Sequence, residues 1–306
     1  MMLAEKLAAE MLAAGGGNPT ARAAATATAA AGVLARPAAG GEGELEQRVR
    51  REALDAERRE PELSALLHST VLAPAVRSFE QIVVACVAKR FATADMPAEA
   101  VASVLGGMFD ESPLVEHPES QRGEAEGELE HGHTATQAVR ADLEAVLERD
   151  PACQTALECL LFYKGYAALV AHRAAHRCWR RGARYTALWL QSRASEVCGV
   201  DIHPRAEIGA GVLLDHATGV VVGETATIGD GCTLLHGVTL GTTGDLENAF
   251  DRHPKIGKNV LIGANASVLG NIRVGDNAKI GAGSVVLQPV PGGATVVGVP
   301  AKQVAE

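Results

Sequence analysis

The chain has 306 residues, enough for two domains that each bury a core. Its 28 basic and 37 acidic residues give a formal net charge of −9, which argues against broad binding to nucleic acid or anionic membranes. No apolar run approaches the ~18 residues of a membrane span. None of the six cysteines forms a Cys-x-x-Cys pair, so neither a zinc site nor a thioredoxin-like motif is indicated. We therefore expect no nucleic-acid partner, no membrane partner, no metal, and reduced, buried thiols.

Residues 1–43 form a low-complexity extension rich in Ala. The Ala, Thr and Arg content resembles an organelle transit peptide, whereas Glu5, Glu10 and the absence of Ser in residues 1–40 count against one. A disordered extension is the alternative. We accordingly expect a cytoplasmic protein, or one in the plastid or mitochondrion if this segment directs import.

Residues 44–198 are predicted to form a helical domain. Helix formers and apolar faces predict helices over residues 44–59, 78–91, 96–109, 135–148, 150–177 and 183–198, and Pro61 can start another. Residues 111–133 are rich in Glu, Gly, Ser and Pro and are interpreted as an acidic insertion with little to bury. His172 and His176 have the spacing of a metal pair, but no third ligand is evident and a helix face is expected.

From Ile202 onward, an aliphatic residue returns every six positions and is usually followed by Gly. A fixed six-residue period is typical of a parallel β-helix, in which each hexad supplies one short strand and a turn. The residue four positions later is also predicted to point inwards: Val212, Ala226, Cys232, Val238, Val260, Ala266, Ala278 and Ser284. We predict an α+β protein, with a β-helix of about four to five coils over residues 199–290 and a short C-terminal segment over residues 291–306.

The repeat slips twice, at Leu-Asp-His-Ala-Thr-Gly (214–219) and at Asp-Arg-His-Pro-Lys (251–255). His216 lies in the first slip beside Asp215, with Asp201 one coil earlier. A carboxylate bonded to one imidazole nitrogen fixes the tautomer and lets the other nitrogen act as a base. The alternative is a turn histidine bonded to the backbone. Because no Gly-x-Ser-x-Gly elbow supplies a nucleophile, we expect the substrate's hydroxyl or amine to attack.

Six motifs carry a resemblance to a known family: Asp-Pro-Ala-Cys (150–153), Leu-Phe-Tyr-Lys-Gly-Tyr (161–166), Val-Asp-Ile-His-Pro (200–204), Leu-Asp-His-Ala-Thr-Gly-Val-Val-Val-Gly-Glu-Thr (214–225), Asp-Arg-His-Pro-Lys-Ile (251–256) and Gly-Val-Pro-Ala (298–301). Together they resemble serine O-acetyltransferase over roughly residues 45–306. The hexads alone indicate only the hexapeptide-repeat acyltransferase superfamily, whereas the two slip motifs behind a helical domain are more specific.

This resemblance implies a left-handed β-helix and acetyl transfer from acetyl-CoA, a co-substrate and not a permanently bound cofactor, to the hydroxyl of L-serine. The product would be O-acetylserine for cysteine biosynthesis. The residues that match the family's motifs would take these roles: His216 as general base in a direct attack, Asp201 as its orienting partner, Asp150 and Asp215 for the serine ammonium, and Arg252 with His253 for the carboxylate. For Asp150, a helix-capping role before Pro151 is the alternative.

The family binds CoA in the groove between adjacent prisms. The matching positions are Gly241, Thr243, Ala264 and Ala282, and Lys255, Lys258 and Lys279 are candidates for phosphate contacts. The sequence departs from the family at 241–244, where Gly-Thr-Thr-Gly replaces Gly-Gly-Thr-Gly, and the loop that follows (245–250) is longer.

The resemblance also implies a homotrimer, or a dimer of trimers paired through the helical domains. Members that bind cysteine synthase use a longer C-terminal tail ending in Ile. The sequence stops at Glu306 without that tail, so this partner is not implied. L-Cysteine could still compete in the serine site as a feedback inhibitor.

Three alternatives remain at this stage. The first is another CoA-dependent hexapeptide acyltransferase with a different amino-acid or sugar acceptor. The second is a zinc lyase on the same prism, for which His216, His236 and His253 are too scattered in the sequence. His236 itself is expected to be a contact near an interface or groove. The third is a non-catalytic scaffold, which would leave Asp201 and His216 without a purpose.

Overall fold

The computed structural model describes residues 43–109, 133–244 and 250–304. The predicted extension, the acidic insertion 111–133 and the loop 245–250 therefore lie outside the described residues, except for Gly43, His133 and Phe250. None of the described helices is long and apolar enough to cross a membrane.

A helical region precedes the strands. Its α-helices are α1 (Glu44–Arg59), α2 (Ser64–His68), α3 (Phe79–Phe91), α4 (Ala98–Gly106), α5 (Ala135–Arg149), α6 (Ala156–Phe162), α7 (Lys164–Arg180) and α8 (Arg184–Cys198). Short 3₁₀ turns at Pro61–Leu63 and Gly107–Phe109 precede α2 and follow α4. Ser78 and Thr134 begin α3 and α5 with capping boxes, which satisfy the otherwise unpaired first N–H groups.

The single helix predicted over residues 150–177 was wrong, because the chain leaves the helical conformation at Tyr163 (ψ 104°) between α6 and α7. The break lies against the β-helix. Gly165, in the first turn of α7, lies so close to it that a Cβ atom would be 2.1 Å from the Leu214 carbonyl oxygen. The sequence pattern of the helices carries no sign of this contact, which needs a glycine.

Three parallel sheets form the faces of a triangular prism. Sheet A contains β1 (Val200–Ile202), β4 (Val220–Val222), β7 (Thr239–Gly241), β10 (Ser267–Leu269) and β13 (Val285–Val286). Sheet B contains β2 (Glu207–Ile208), β5 (Thr227–Ile228), β8 (Lys255–Ile256) and β11 (Arg273–Val274). Sheet C contains β3 (Leu213–Asp215), β6 (Thr233–Leu235), β9 (Leu261–Ile262), β12 (Lys279–Ile280), β14 (Thr295–Gly298) and β15 (Ala301–Gln303), of which only β15 runs antiparallel to its neighbour.

The side chains that fill the interior of the prism are those that the hexad pattern predicts. The predicted inward positions are at most 9% exposed, from Ile208 at 9% to Ser284 at 0%. The strands repeat five deep in sheet A, so the prediction of about four to five coils is confirmed.

The two slips fall on different edges of this prism. Partners on adjacent coils are 18 residues apart at Ser267↔Val285, 20 apart at Val200↔Val220 and 28 apart at Thr239↔Ser267. The first slip widens a turn between sheets C and A. We call this corner the first edge (216–219, 236–238, 263–266 and 281–284). The second lengthens a turn between sheets A and B, whose described residues we call the second edge (203–206, 223–226, 242–244, 250–254 and 270–272).

A buried ion pair joins the helices to the first coil. Asp142 of α5 is fully buried and accepts hydrogen bonds from Arg173 Nε of α7 (2.8 Å) and from the backbone N–H of Val212 (2.9 Å). Arg173 Nη2 also donates to the Gly209 carbonyl oxygen at 2.8 Å. Because each charge is paired and bonded to the prism backbone, the pair fixes α5 and α7 against the coil that carries His216.

Candidate active site

A cleft of about 630 Å³ lies where the helices meet the first edge. Its walls come from the end of α5, the break between α6 and α7, and the end of β3. The lining residues are Arg149, Asp150, Pro151, Ala152, Phe162, Tyr163, Lys164, Gly165, Leu213, Leu214, Asp215, His216 and Thr218. The cleft thus collects one imidazole and two carboxylates of the predicted site.

His216 sits in a tight turn directly after β3. His216 and Ala217 both have left-handed backbone conformations (φ 55° and 57°), which cost L-residues ~1 kcal/mol or more each. Hydrogen bonds from Thr218 N to His216 O (2.7 Å) and from Gly219 N to Gly199 O (2.7 Å) hold the turn. The His216 side chain is 59% exposed, and its Nε2 lies 3.9 Å from Asp215 Oδ1. Backbone strain is therefore maintained where a proton acceptor faces the cleft.

A second imidazole, that of His236, contacts the first. The rings of His216 and His236 meet edge to face with centroids 6.0 Å apart, and His236 lies one coil further along the first edge. Its Nδ1 is buried and has no hydrogen-bond partner among the described residues. A buried nitrogen without a partner is costly, and His236 is not among the residues that line the cleft.

Asp150 lies across the cleft from Asp215. Its backbone N–H caps α5 through Val146 O, and its Oδ1 accepts from Ala152 N at 2.9 Å. The phenol of Tyr163 is adjacent. Burial, followed by the charges of Cys153 and Asp150, raises the pKa of this phenol. Two carboxylates in one cleft suit a cationic group such as an ammonium.

Arg252 lies on the second edge, away from this cleft. Its Nη2 donates to Glu224 Oε2 at 2.9 Å, and Arg205 Nη1 lies 3.3 Å from the other carboxylate oxygen. Burial alone would raise the pKa of Glu224, but the hydrogen bonds from Arg252 and Arg205 outweigh it and leave that pKa below its ordinary value. Glu224 therefore stays ionised and orients the guanidinium of Arg252.

His253, beside Arg252, is packed into the prism. Its Nδ1 lies 2.9 Å from Thr225 Oγ1, and its ring covers Gly223, where a Cβ atom would be 2.0 Å from His253 Cδ2. Burial, followed by the charges of Arg252 and Lys255, lowers the pKa of His253. Lys255 directs its ammonium to Asp251 and to the Thr225 carbonyl oxygen. The second edge is therefore a cationic cluster ordered by Glu224 and Thr225.

Asp201 lies on sheet A, between the two edges. It accepts a hydrogen bond from Gln191 Nε2 of α8 at 2.6 Å, and both residues line a separate hollow of about 440 Å³. β1 pairs directly with β4, the strand that follows the His216 turn, so Asp201 is close to that turn in the stack.

The positions predicted to contact CoA divide between the edges. Ala264 and Ala282 lie on the first edge, in the two coils that follow His236. Gly241 ends β7 at the second edge and Thr243 follows it. Lys258 pairs with Asp230 at 3.1 Å, and Lys279 is exposed on β12. The structure thus separates Ala264 and Ala282 from Gly241 and Thr243 by the width of sheet A, and Lys258 and Lys279 lie on neither edge.

Comparisons with known proteins identify the family of this chain. A family model described as "Serine acetyltransferase, N-terminal" matches residues 45–171, and one described as "Bacterial transferase hexapeptide (six repeats)" matches residues 253–288. Rice "Probable serine acetyltransferase 4" is 48% identical over 257 residues, 84% of this chain and 74% of the rice protein. This chain belongs to the serine acetyltransferase family.

Solved serine acetyltransferases share the fold over most of their length. The soybean enzyme complexed with serine matches with a TM-score of 0.76 and 43% identity, over 87% of this chain and 100% of the soybean chain. The Brucella abortus enzyme in complex with coenzyme A matches with a TM-score of 0.75 and 41% identity, over 86% and 95% of the two chains. The predicted helical domain, left-handed β-helix and enzyme class are confirmed.

Some residues of the site escaped sequence reasoning. Glu224 stands in a quoted motif without a role, and its two arginine partners become visible only in the folded chain. Tyr163 was assigned to a helix interior, so its position in the cleft was missed.

Among the described residues, no group of three or more His, Cys, Asp or Glu side chains could hold a metal ion.

Proposed function

We propose that this protein transfers the acetyl group of acetyl-CoA to the hydroxyl of L-serine, giving O-acetylserine and CoA on the route to cysteine. The observation that carries the proposal is the cleft that holds His216 together with Asp150 and Asp215. Membership of the serine acetyltransferase family supports the same substrates, since relatives have been solved with serine and with coenzyme A.

The chemistry follows from the groups in the cleft. The serine ammonium binds between Asp150 and Asp215, which directs the hydroxyl towards His216. His216 takes the hydroxyl proton while the oxygen attacks the acetyl carbonyl directly, and it then returns the proton to the departing CoA sulfur. Asp201 orients the His216 ring from the neighbouring strand. The ring of His236 meets that of His216 edge to face and helps to hold it at the cleft.

The serine carboxylate needs the second edge, and we propose that another copy of the chain supplies it. Sheet A separates the edges by a three-residue strand, roughly 10 Å at the usual rise of an extended chain. In serine the ammonium and the carboxylate share one carbon, so one molecule cannot span that face. A first edge from one copy against a second edge from another brings Arg252 and His253 to the cleft.

Such a contact joins two different surfaces and closes into a ring when repeated by rotation. A triangular prism suits a threefold ring, which supports the homotrimer, and pairing of trimers through the helical domains would give the hexamer. The groove between two edges would then hold CoA, with Ala264 and Ala282 from one copy and Gly241 and Thr243 from the next. L-Cysteine carries the same ammonium and carboxylate as serine, so it should compete in this site.

For the compartment, two Arabidopsis relatives support an import role for residues 1–43, since one is named as mitochondrial and the other as chloroplastic. The test is a fusion of this segment to a fluorescent protein in plant cells. Signal confined to the cytosol would reject the import role.

The function is tested by CoA release from acetyl-CoA with the purified protein. Serine should drive turnover, while homoserine, hexoses and other acceptors should give at most a few per cent of that rate. Added L-cysteine should raise the apparent KM for serine, and light scattering should give the mass of a trimer or a hexamer. A protein that releases CoA with a sugar but not with serine would overturn the proposal in favour of another hexapeptide acyltransferase.

A further inference from the structure

Arg149 is the last residue of α5 and directly precedes Asp150. Its guanidinium leaves the helix and reaches the prism. Nη1 lies 2.9 Å from the Gly231 carbonyl oxygen, 3.3 Å from the Cys232 carbonyl oxygen and 3.3 Å from Thr233 Oγ1. One side chain thus ties the end of α5 to three acceptors on the turn before β6 and at its first residue.

These acceptors belong to the strand next to the reacting groups. In the pairing of β3 with β6, Leu213 faces Thr233 and Asp215 faces Leu235. The anchor of Arg149 is therefore two residues from the position beside Asp215, in a ladder whose geometry is fixed by backbone hydrogen bonds. The frame that holds Asp215 also holds the guanidinium of Arg149.

Asp150, by contrast, is held mostly by local contacts, besides the nearby phenol of Tyr163. Its N–H bonds to Val146 O, its carbonyl oxygen accepts from Cys153 N, and its carboxylate accepts from Ala152 N. These bonds fix Asp150 relative to α5 and to the loop that follows, so its distance from Asp215 depends on where the end of α5 is held.

We propose that Arg149 is a positioning residue that sets the spacing between Asp150 and Asp215, and thereby the affinity for the substrate ammonium. This inference rests on the proposed function, in which these two carboxylates bind that group. Arg149 acts through Asp150, and the positive charge of its guanidinium is directed to carbonyl oxygens of the prism.

The attachment of the helices to the prism does not depend on Arg149 alone. The buried Asp142–Arg173 pair, the close contact of Gly165 with Leu214 and the hydrogen bond between Lys164 and Thr218 join the same parts. Loss of Arg149 should therefore leave the fold in place and shift only the nearby end of α5.

The test compares Arg149→Met with Arg140→Met in the full-length protein. Arg140 lies on the same helix and contacts Glu80 and Phe79 inside the helical domain. We expect Arg149→Met to raise the KM for serine roughly tenfold, since small displacements of a positioning group have effects of this order or larger. The KM for acetyl-CoA should stay within about twofold, and Arg140→Met should change neither KM.

A double-mutant cycle with Asp150→Asn then separates positioning from general loosening. If Arg149 acts through Asp150, Arg149→Met should add less than about a twofold effect once Asp150→Asn is present. A full tenfold effect in that background would overturn the proposal, as would an unchanged KM for serine in folded Arg149→Met.

If Arg149→Met does not fold, Arg149→Lys decides the question, because lysine keeps the positive charge but has a shorter side chain without the rigid guanidinium fork. A raised KM for serine with an unchanged KM for acetyl-CoA supports the role, and unchanged values for both overturn it. Failure of the unsubstituted protein to release CoA with serine would overturn the proposed function and this inference together. A wild-type KM in the variants would overturn only the assignment of Arg149.

Discussion

The two edges of the prism differ in what they offer a substrate. The first edge has a short insertion, a strained turn and two imidazoles in edge-to-face contact, with carboxylates nearby to bind a cation. The second edge has a longer insertion and a cluster of Arg205, Arg252 and Lys255 ordered around Glu224 and Asp251. The two edges therefore offer groups of opposite charge. In the function proposed above, each edge binds one end of the amino acid, and the two edges of one site come from different chains.

The largest expected effect is on the first edge, where His216→Asn should lower kcat by roughly 10²–10⁴-fold, the usual contribution of a positioned base. Asn tolerates the left-handed backbone of this turn, so the variant should fold normally. Steady-state CoA release measures the effect, and His68→Asn, on the surface of α2, is the control. A folded His216→Asn protein with near-normal turnover would remove the proton chemistry from this edge.

A mixture of two inactive variants tests whether the edges work in pairs. His216→Asn damages the first edge and Arg252→Met the second, so co-expressed chains that assemble at random should recover activity in about a quarter of the sites. The specific activity of the mixed oligomers gives the measurement. The matched control mixes His216→Asn with Asp150→Asn, which damage the same cleft and should not complement each other. No recovery in the first mixture would place both edges' functions within one chain.

The smallest effect concerns stability at mildly acidic pH. Burial is the main cause that lowers the pKa of four histidines below 6.5, two at the second edge and two on α7: His172, His176, His203 and His253. The unfolded chain then binds more protons, so the stability that these groups contribute above pH ~6.5 is lost as the pH falls.

Thermal unfolding between pH 7.5 and 5.5 should show a falling Tm. His203→Gln should flatten that dependence, because it removes one of the groups whose pKa is lowered on folding. His68→Gln is the control on the surface. An unchanged slope in His203→Gln would show that the second edge is not sensitive to acid through this residue.

The fold could be predicted because a six-residue period repeats in every coil and leaves few alternatives. The predicted inward positions are all buried, including the polar Ser284, since the phase of the repeat determines them. The site depends on contacts between distant parts of the chain, which the period does not contain. Asp142 resembles any polar helix residue in the sequence, yet it is fully buried against Arg173. Tyr163 and Gly165 were read as helix interior because the approach of Leu214 is a tertiary contact.

The register of the strands remains correct across both insertions. Ile256 pairs with Ile228 across 28 residues, just as Ile280 pairs with Ile262 across 18. The packing of the core is therefore independent of the length of the loop that leaves a corner between two strands. The loops at the corners could be lengthened or exchanged in evolution without repacking the interior, while the small residues that line the rest of the first edge stay unchanged. A prism of this kind can alter which molecule it acetylates by changing one corner at a time.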